Sequence, residues 1–166
     1  SYGEMTFRRA LENSNNLITL KIGLDLGINK VSKFFEKVNL YDKDMQKDMY
    51  SSLLGAIENN LLNITKSYSV FVNGGYQVEP NIIKKVVSDT GNLVFNQDYF
   101  SCNYCDFKIT DRSYRKPRVQ SKQDNVISPQ TSFQILSILR GAIERGTGKS
   151  LNDIQYPIAG KTGTTN

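Results

Sequence analysis

Ile158-Ala159-Gly160-Lys161-Thr162-Gly163-Thr164-Thr165-Asn166 follows Tyr156-Pro157 and reads as an extended segment, because proline biases neighbouring backbone away from the helical region. Within it, Lys161-Thr162-Gly163 fits a strand edge that recognises a carboxylate. The Lys161 ammonium attracts an anionic ligand terminus, and the Thr162 hydroxyl adds a hydrogen bond. Gly163 carries no side chain, so a ligand can lie against the backbone there. A Lys-Thr-Gly triplet is also common in surface turns, so its reading depends on what precedes it. A strand at that place has no pairing partner in the sequence, and a truncated domain is expected on that ground.

Upstream, Ser128-Pro129 is a helix start, a capping hydroxyl followed by proline at the first helical position. Phe133, Leu136, Leu139, Arg140 and Ile143 continue the helix, which should end at Gly146-Thr147-Gly148. The stretch 96–127 is polar and rich in charge, and reads as a loop excursion. Before it, Ile82 to Val87 and Leu93-Val94-Phe95 flank Asp89-Thr90-Gly91-Asn92, a hairpin signal. Leu61, Leu62, Ile64, Tyr68, Val70, Phe71 and Val72 predict a largely apolar, buried helix terminated by Asn73-Gly74-Gly75. Residues 39–51 read as an exposed connection. Gly27 opens an amphipathic segment with Ile28, Val31, Phe34, Phe35 and Val38 at three- and four-residue steps. The chain opens with two helical stretches joined by Asn13-Ser14-Asn15-Asn16, where Asn or Ser should cap the second helix. The fold class is mixed α/β, with most residues in helices.

With 166 residues, 39% hydrophobic and 22% charged, the chain can bury a core. No run approaches the roughly 18 apolar residues that cross a bilayer. The absence of histidine removes Ser-His-Asp and Cys-His catalysis, HExxH zinc hydrolysis and Cys/His zinc fingers together. A hydrolase or acyl transferase built from this sequence needs Lys, a carboxylate or a second Ser as its base. The net charge of +5 suits anionic partners, but the basic residues are scattered. Their one cluster, Arg112, Arg115, Lys116, Arg118 and Lys122, lacks a groove-reading motif, so it reads as a solvated loop face rather than a nucleic-acid site.

Cys102-Asn103-Tyr104-Cys105 holds the only two cysteines. Zinc would need carboxylates for its remaining ligands, and a redox pair would want a helix after it to depress the thiol pKa. Two loop thiols or a small structural disulfide remain, and no metal or cofactor is expected. Gly148-Lys149-Ser150 fails as a phosphate loop because Ile143 stands where the first glycine is required. Asn63-Ile64-Thr65 matches a glycosylation sequon but sits in the predicted helix.

Residues 140–149, RGAIERGTGK, followed by residues 158–166, IAGKTGTTN, resemble the approach to the active-site strand of class A (bifunctional) penicillin-binding proteins. Residues 11–20, LENSNNLITL, resemble the family's SxN region. Residues 68–80, YSVFVNGGYQVEP, resemble its Asn-Gly-Gly helix end, and Asp89-Thr90-Gly91-Asn92 its hairpin. These stretches span nearly the whole chain in the family's order.

The resemblance implies a penicillin-binding and β-lactamase type of transpeptidase fold, of which this chain supplies the helical part, a hairpin and the Lys-Thr-Gly strand. It implies a parent D,D-transpeptidase that cross-links peptidoglycan stem peptides through a serine acyl-enzyme and binds β-lactams. Catalytic roles fall on Ser14, Asn16 and Lys161, and substrate-binding roles on Thr162, Gly163 and Thr164, with Thr164 giving a backbone N–H to the oxyanion. The family's SxxK is missing before Ser14. The only match, Ser113-Tyr114-Arg115-Lys116, precedes Pro117, which opposes a continuing helix. The chain is therefore expected to be a fragment of one domain, residues 1–166, truncated at both ends and inactive alone. Its parent is expected at the periplasmic face of the bacterial cytoplasmic membrane, anchored by a missing N-terminal segment and carrying an upstream glycosyltransferase. A β-lactamase or penicillin-sensing domain, or a non-enzymatic module contacting other wall-synthesis proteins, are the alternatives.

Overall fold

A computed structural model describes residues 3–40, 50–105 and 116–163. Helix α1 (Phe7–Glu12) starts at Thr6, whose hydroxyl accepts the Arg9 N–H, and α2 (Asn16–Leu26) starts at Asn15, whose side chain accepts the Ile18 N–H at 3.1 Å. Gly27, with φ at 88°, ends α2 and turns the chain into α3 (Ile28–Lys37). A 3-10 turn (Tyr50–Leu54) lies against α2, and α4 (Leu61–Val72) follows under an Asn60 cap. Four short strands come next, β1 (Lys85–Val87), β2 (Leu93–Asn96), β3 (Phe100–Asn103) and β4 (Arg118–Ser121). Helix α5 (Pro129–Glu144) is the longest element, with Ser128 accepting the Thr131 N–H as its cap.

Helix α5 is the hub, packed against both α1 and α4. Its Ile138, Leu139, Ala142 and Ile143 are buried, as is Ala10 of α1. A second cluster joins Val38, Val70 and Val126, with Phe34, Leu40 and Ile127 around it. Val70 has no exposed surface, a burial that stabilises by about 1.5–3 kcal/mol relative to an exposed side chain. Two buried serines stitch the helices together, Ser67 donating to the Val38 carbonyl and Ser132 to the Phe71 carbonyl. Buried hydroxyls need such partners, since an unpaired one costs more than its hydrogen bond returns.

The Asn-Gly-Gly stop after α4 has a specific cause. Gly75 sits at φ 92°, and its carbonyl accepts N–H groups from both Val126 and Ile127. A Cβ at Gly75 would lie 2.0 Å from the Ile127 carbonyl oxygen. With Gln77 N–H bonded to the Asp124 carbonyl, this contact closes the base of the segment that carries the four strands.

The β1–β2 hairpin forms as expected, antiparallel with a bulge at Val86/Val87 and Gly91 at φ 83° in its turn. Two expectations need correction. The stretch 96–127 is not loop throughout, because β3 and β4 pair antiparallel from Phe100↔Ser121 to Asn103↔Arg118. Alternation around Cys102 and Val119 is too short to register as a strand signal among so many charges. Helix α4 is apolar but not buried on most sides, since Leu61 and Val72 are 80% and 69% exposed. Only the face bearing Ser67 and Val70 meets its neighbours. The Lys161-Thr162-Gly163 segment pairs with no strand among the described residues, in keeping with its lack of a partner in the sequence. Cys102, at the end of β3, and Cys105 have Cα atoms 5.8 Å apart, a spacing that a disulfide can bridge.

Gly75→Ala should destabilise the chain by roughly 2–4 kcal/mol, adding backbone overlap to the strain of a non-glycine residue at positive φ. Urea denaturation checks this, and an unchanged midpoint would remove Gly75 from the account.

Candidate active site

Ser14 and Asn16 lie on the short link between α1 and α2. The link is built by Asn13, whose side chain donates to the Arg9 carbonyl at 2.8 Å, and by Asn15, which donates its N–H to the Ala10 carbonyl while capping α2. Ser14 between them is held in the left-handed region at φ 54°. Asn16 opens α2. Both side chains are exposed, and neither makes a hydrogen bond among the described residues. With Met5, Arg9, Leu17 and Thr147 they line a cavity of about 620 Å³.

The link is anchored from beneath by Glu12, a carboxylate only 5% exposed. Arg145, just past α5, reaches it with Nη2 to Oε1 at 2.6 Å, and Arg8 stands 3.7 Å away. A buried charge is tolerated when it is paired and hydrogen-bonded. The Glu12 carboxylate beside it raises the Arg145 pKa further, keeping the guanidinium charged. The Glu12 backbone carbonyl also accepts the Thr147 N–H at 3.2 Å. Two glycines make room for this approach. A Cβ at Gly141 would lie 2.0 Å from Glu12 Oε1, and one at Gly146 would lie 2.1 Å from the Glu12 carbonyl oxygen.

On the other side, Gly160 donates its N–H to the Leu139 carbonyl of α5 at 3.2 Å, bringing in Lys161 and Thr162. Lys161 Nζ donates to the Thr162 carbonyl at 2.9 Å and to Thr162 Oγ1 at 3.2 Å. Partial burial pushes the Lys161 pKa down, because desolvation disfavours the ammonium. Thr162 Oγ1 is 2.6 Å from Thr147 Oγ1. Among the described residues, nothing lies within 4 Å of where a Gly163 Cβ would stand. Thr164 lies outside the described residues.

Thr147 is thus the meeting point, lining the cavity with Ser14 and Asn16 and bonded to Thr162. The sequence reading named Ser14, Asn16, Lys161 and Thr162 as candidates and did not single out Glu12, Arg145 and Thr147, whose contacts join their two segments. Their signal was available in the close spacing of Gly141, Gly146 and Gly148 around a charged residue at the end of a helix. Glycines so close at a helix C-terminus exceed what a single cap requires.

The coupling is testable by a double-mutant cycle. Gly141→Ala should cost roughly 1–3 kcal/mol through overpacking, and markedly less in a Glu12→Ala background, where the overlapping oxygen is gone. Additive thermal-denaturation values would show that the two residues do not share that space.

A family model described as the penicillin binding protein transpeptidase domain matches residues 1–166. Penicillin-binding protein 1A of Rickettsia typhi is 36% identical over 169 residues, covering 99% of this chain and 21% of its own length. Its counterpart from Neisseria flavescens is 28% identical, covering 99% of this chain and 18% of its own length. The chain spans about a fifth of the length of the curated relatives it matches. Among solved structures, penicillin-binding protein 1A from Haemophilus influenzae matches with a TM-score of 0.73 and 28% identity, over 98% of this chain and 27% of that one. The D,D-transpeptidase domain of a peptidoglycan glycosyltransferase from Eggerthella lenta shares the fold at a TM-score of 0.66 and 17% identity, over 100% of this chain and 43% of that one. The family match over residues 1–166 and the similarity to these relatives show that the chain belongs to the penicillin-binding protein transpeptidase domain family.

Proposed function

We propose that this chain supplies two of the three motif segments of a peptidoglycan D,D-transpeptidase active site, acting on stem peptides and taking β-lactams as substrate mimics. The observation that carries the reading is the joining of the Ser14-Asn16 cavity to Thr162 through the Thr147 hydroxyl. In the reaction, a serine oxygen attacks the carbonyl of the penultimate D-alanine. The terminal D-alanine leaves with a proton on its amine, and an amine of a neighbouring strand then takes the acyl group from the serine. Lys161 and Thr162 hold the departing residue's carboxylate, a charge-assisted contact. Asn16 hydrogen-bonds a substrate amide, Ser14 passes the proton, and the Thr164 N–H faces the developing oxyanion. Gly163 leaves the substrate room to lie along the backbone.

The nucleophile of this reading is an SxxK serine outside the chain, since Ser113-Tyr114-Arg115-Lys116 precedes Pro117. The parent acts at the periplasmic face of the cytoplasmic membrane. No helix among the described residues is long and apolar enough to cross a membrane.

Fluorescent penicillin should label the full-length protein covalently and leave this chain alone unlabelled. A label mapped to any serine of the isolated chain would sink the division of the site. Lys161→Ala in the full-length protein should slow acylation by roughly ten- to a hundredfold, the worth of one hydrogen bond to a charged group. Wild-type acylation in that variant would remove Lys161 from the site. Since burial lowers the Lys161 pKa, the ammonium is lost at lower pH than in an ordinary lysine. The second-order acylation rate should therefore fall on its alkaline side below the usual lysine range, and a rate that stays flat through that range contradicts the assignment.

A further inference from the structure

We propose that Thr147 is a positioning residue that turns the Thr162 hydroxyl into a dedicated donor for a ligand carboxylate, an inference that rests on the reading just given. Lys161 Nζ stands 3.2 Å from Thr162 Oγ1. An ammonium can only donate, so Thr162 Oγ1 accepts that bond. A hydroxyl has two acceptor sites and one proton. The 2.6 Å contact from Thr147 Oγ1 to Thr162 Oγ1 fills the second acceptor site when Thr147 donates. The Thr162 proton is then left to point away from both partners, and because Thr162 is exposed a ligand carboxylate can take it in place of water.

Charge selects this direction when the ligand is an anion. A row of donors running from Thr147 through Thr162 to a carboxylate is mutually polarised, each bond strengthening the next. A carboxylate only accepts, so it matches a hydroxyl whose acceptor sites are full. A carboxamide, which must also place two N–H groups, finds no acceptor on Thr162. Thr147 therefore contributes to the choice of carboxylate ligands without touching them.

Thr147 is placed for this role by the rest of the fold. Its N–H is held by the Glu12 carbonyl at 3.2 Å, and the next residue, Gly148, donates to the Ala142 carbonyl of α5 at 2.9 Å. Its side chain is β-branched, which restricts χ1 and limits where the hydroxyl can point. Valine at this position keeps the shape and removes the hydroxyl, whereas serine keeps the hydroxyl and loses the stiffness.

The test is second-order acylation of the full-length protein by benzylpenicillin and by its carboxamide, with Thr147→Val and Thr147→Ser beside wild type. Thr147→Val should lose about tenfold with the carboxylate, the low end for a hydrogen bond to a charged group, chiefly through weaker binding rather than a slower acylation step. It should change the carboxamide rate little, and Thr147→Ser should recover most of the loss. Equal loss with both ligands would mark Thr147 as structural and overturn the inference, as would unchanged discrimination in Thr147→Val. A wild-type protein that takes no penicillin at all would overturn the transpeptidase reading itself, and this inference with it.

Discussion

A carboxylate removed from water is tolerable only with a cation beside it, and Glu12 meets that condition through Arg145 across a large gap in sequence. Most of the arrangement follows. The pair ties the C-terminal end of α1 to the C-terminal end of α5, and Glu12 can come that close only because Gly141 and Gly146 carry no side chains. Once Glu12 is fixed, Asn13 to Asn16 must leave it along a single path, and its carbonyl sets the height of Thr147. The described parts of the candidate site are therefore held at helix ends.

The valine cluster plays a different part. Val38, Val70 and Val126 hold α3, α4 and the segment before α5 in one body, while the two hairpins project from the Gly75 and Asp124 contacts. Burial is thus concentrated at α5 and its neighbours, and the strands carry exposed apolar side chains such as Val94 and Val119. Substitutions in the hairpins should be felt locally, whereas those along α5 reach the cavity through Glu12 and Thr147.

Much of this was legible beforehand because it is locally encoded. Ser128-Pro129, Asn15 and Gly91 act on their own neighbours, and their consequences appear at short range. What escaped notice is encoded between distant segments. Nothing in the sequence pairs Glu12 with Arg145, or Thr147 with Thr162, until α1 and α5 are packed together. The burial of α4 was overstated for a related reason, since apolar content around a helix says how much surface could be covered and not what covers it. The β3–β4 pairing was obscured by the charges on either side, which mask a four-residue strand. Of the candidate residues, Ser14, Asn16, Lys161 and Thr162 carry recognisable motif letters. Those that hold them in place carry none.

Ser14 occupies a backbone conformation at φ 54° that glycine and asparagine adopt more readily. A search for stabilising substitutions, ranking positions by backbone compatibility alone, would select this one early. The replacement would relax the link between α1 and α2 and at the same time strip a hydroxyl from the cavity wall. Thermostability engineering of this chain thus carries a hidden trade at position 14, where the residue that best suits the turn is not the residue that equips the cavity.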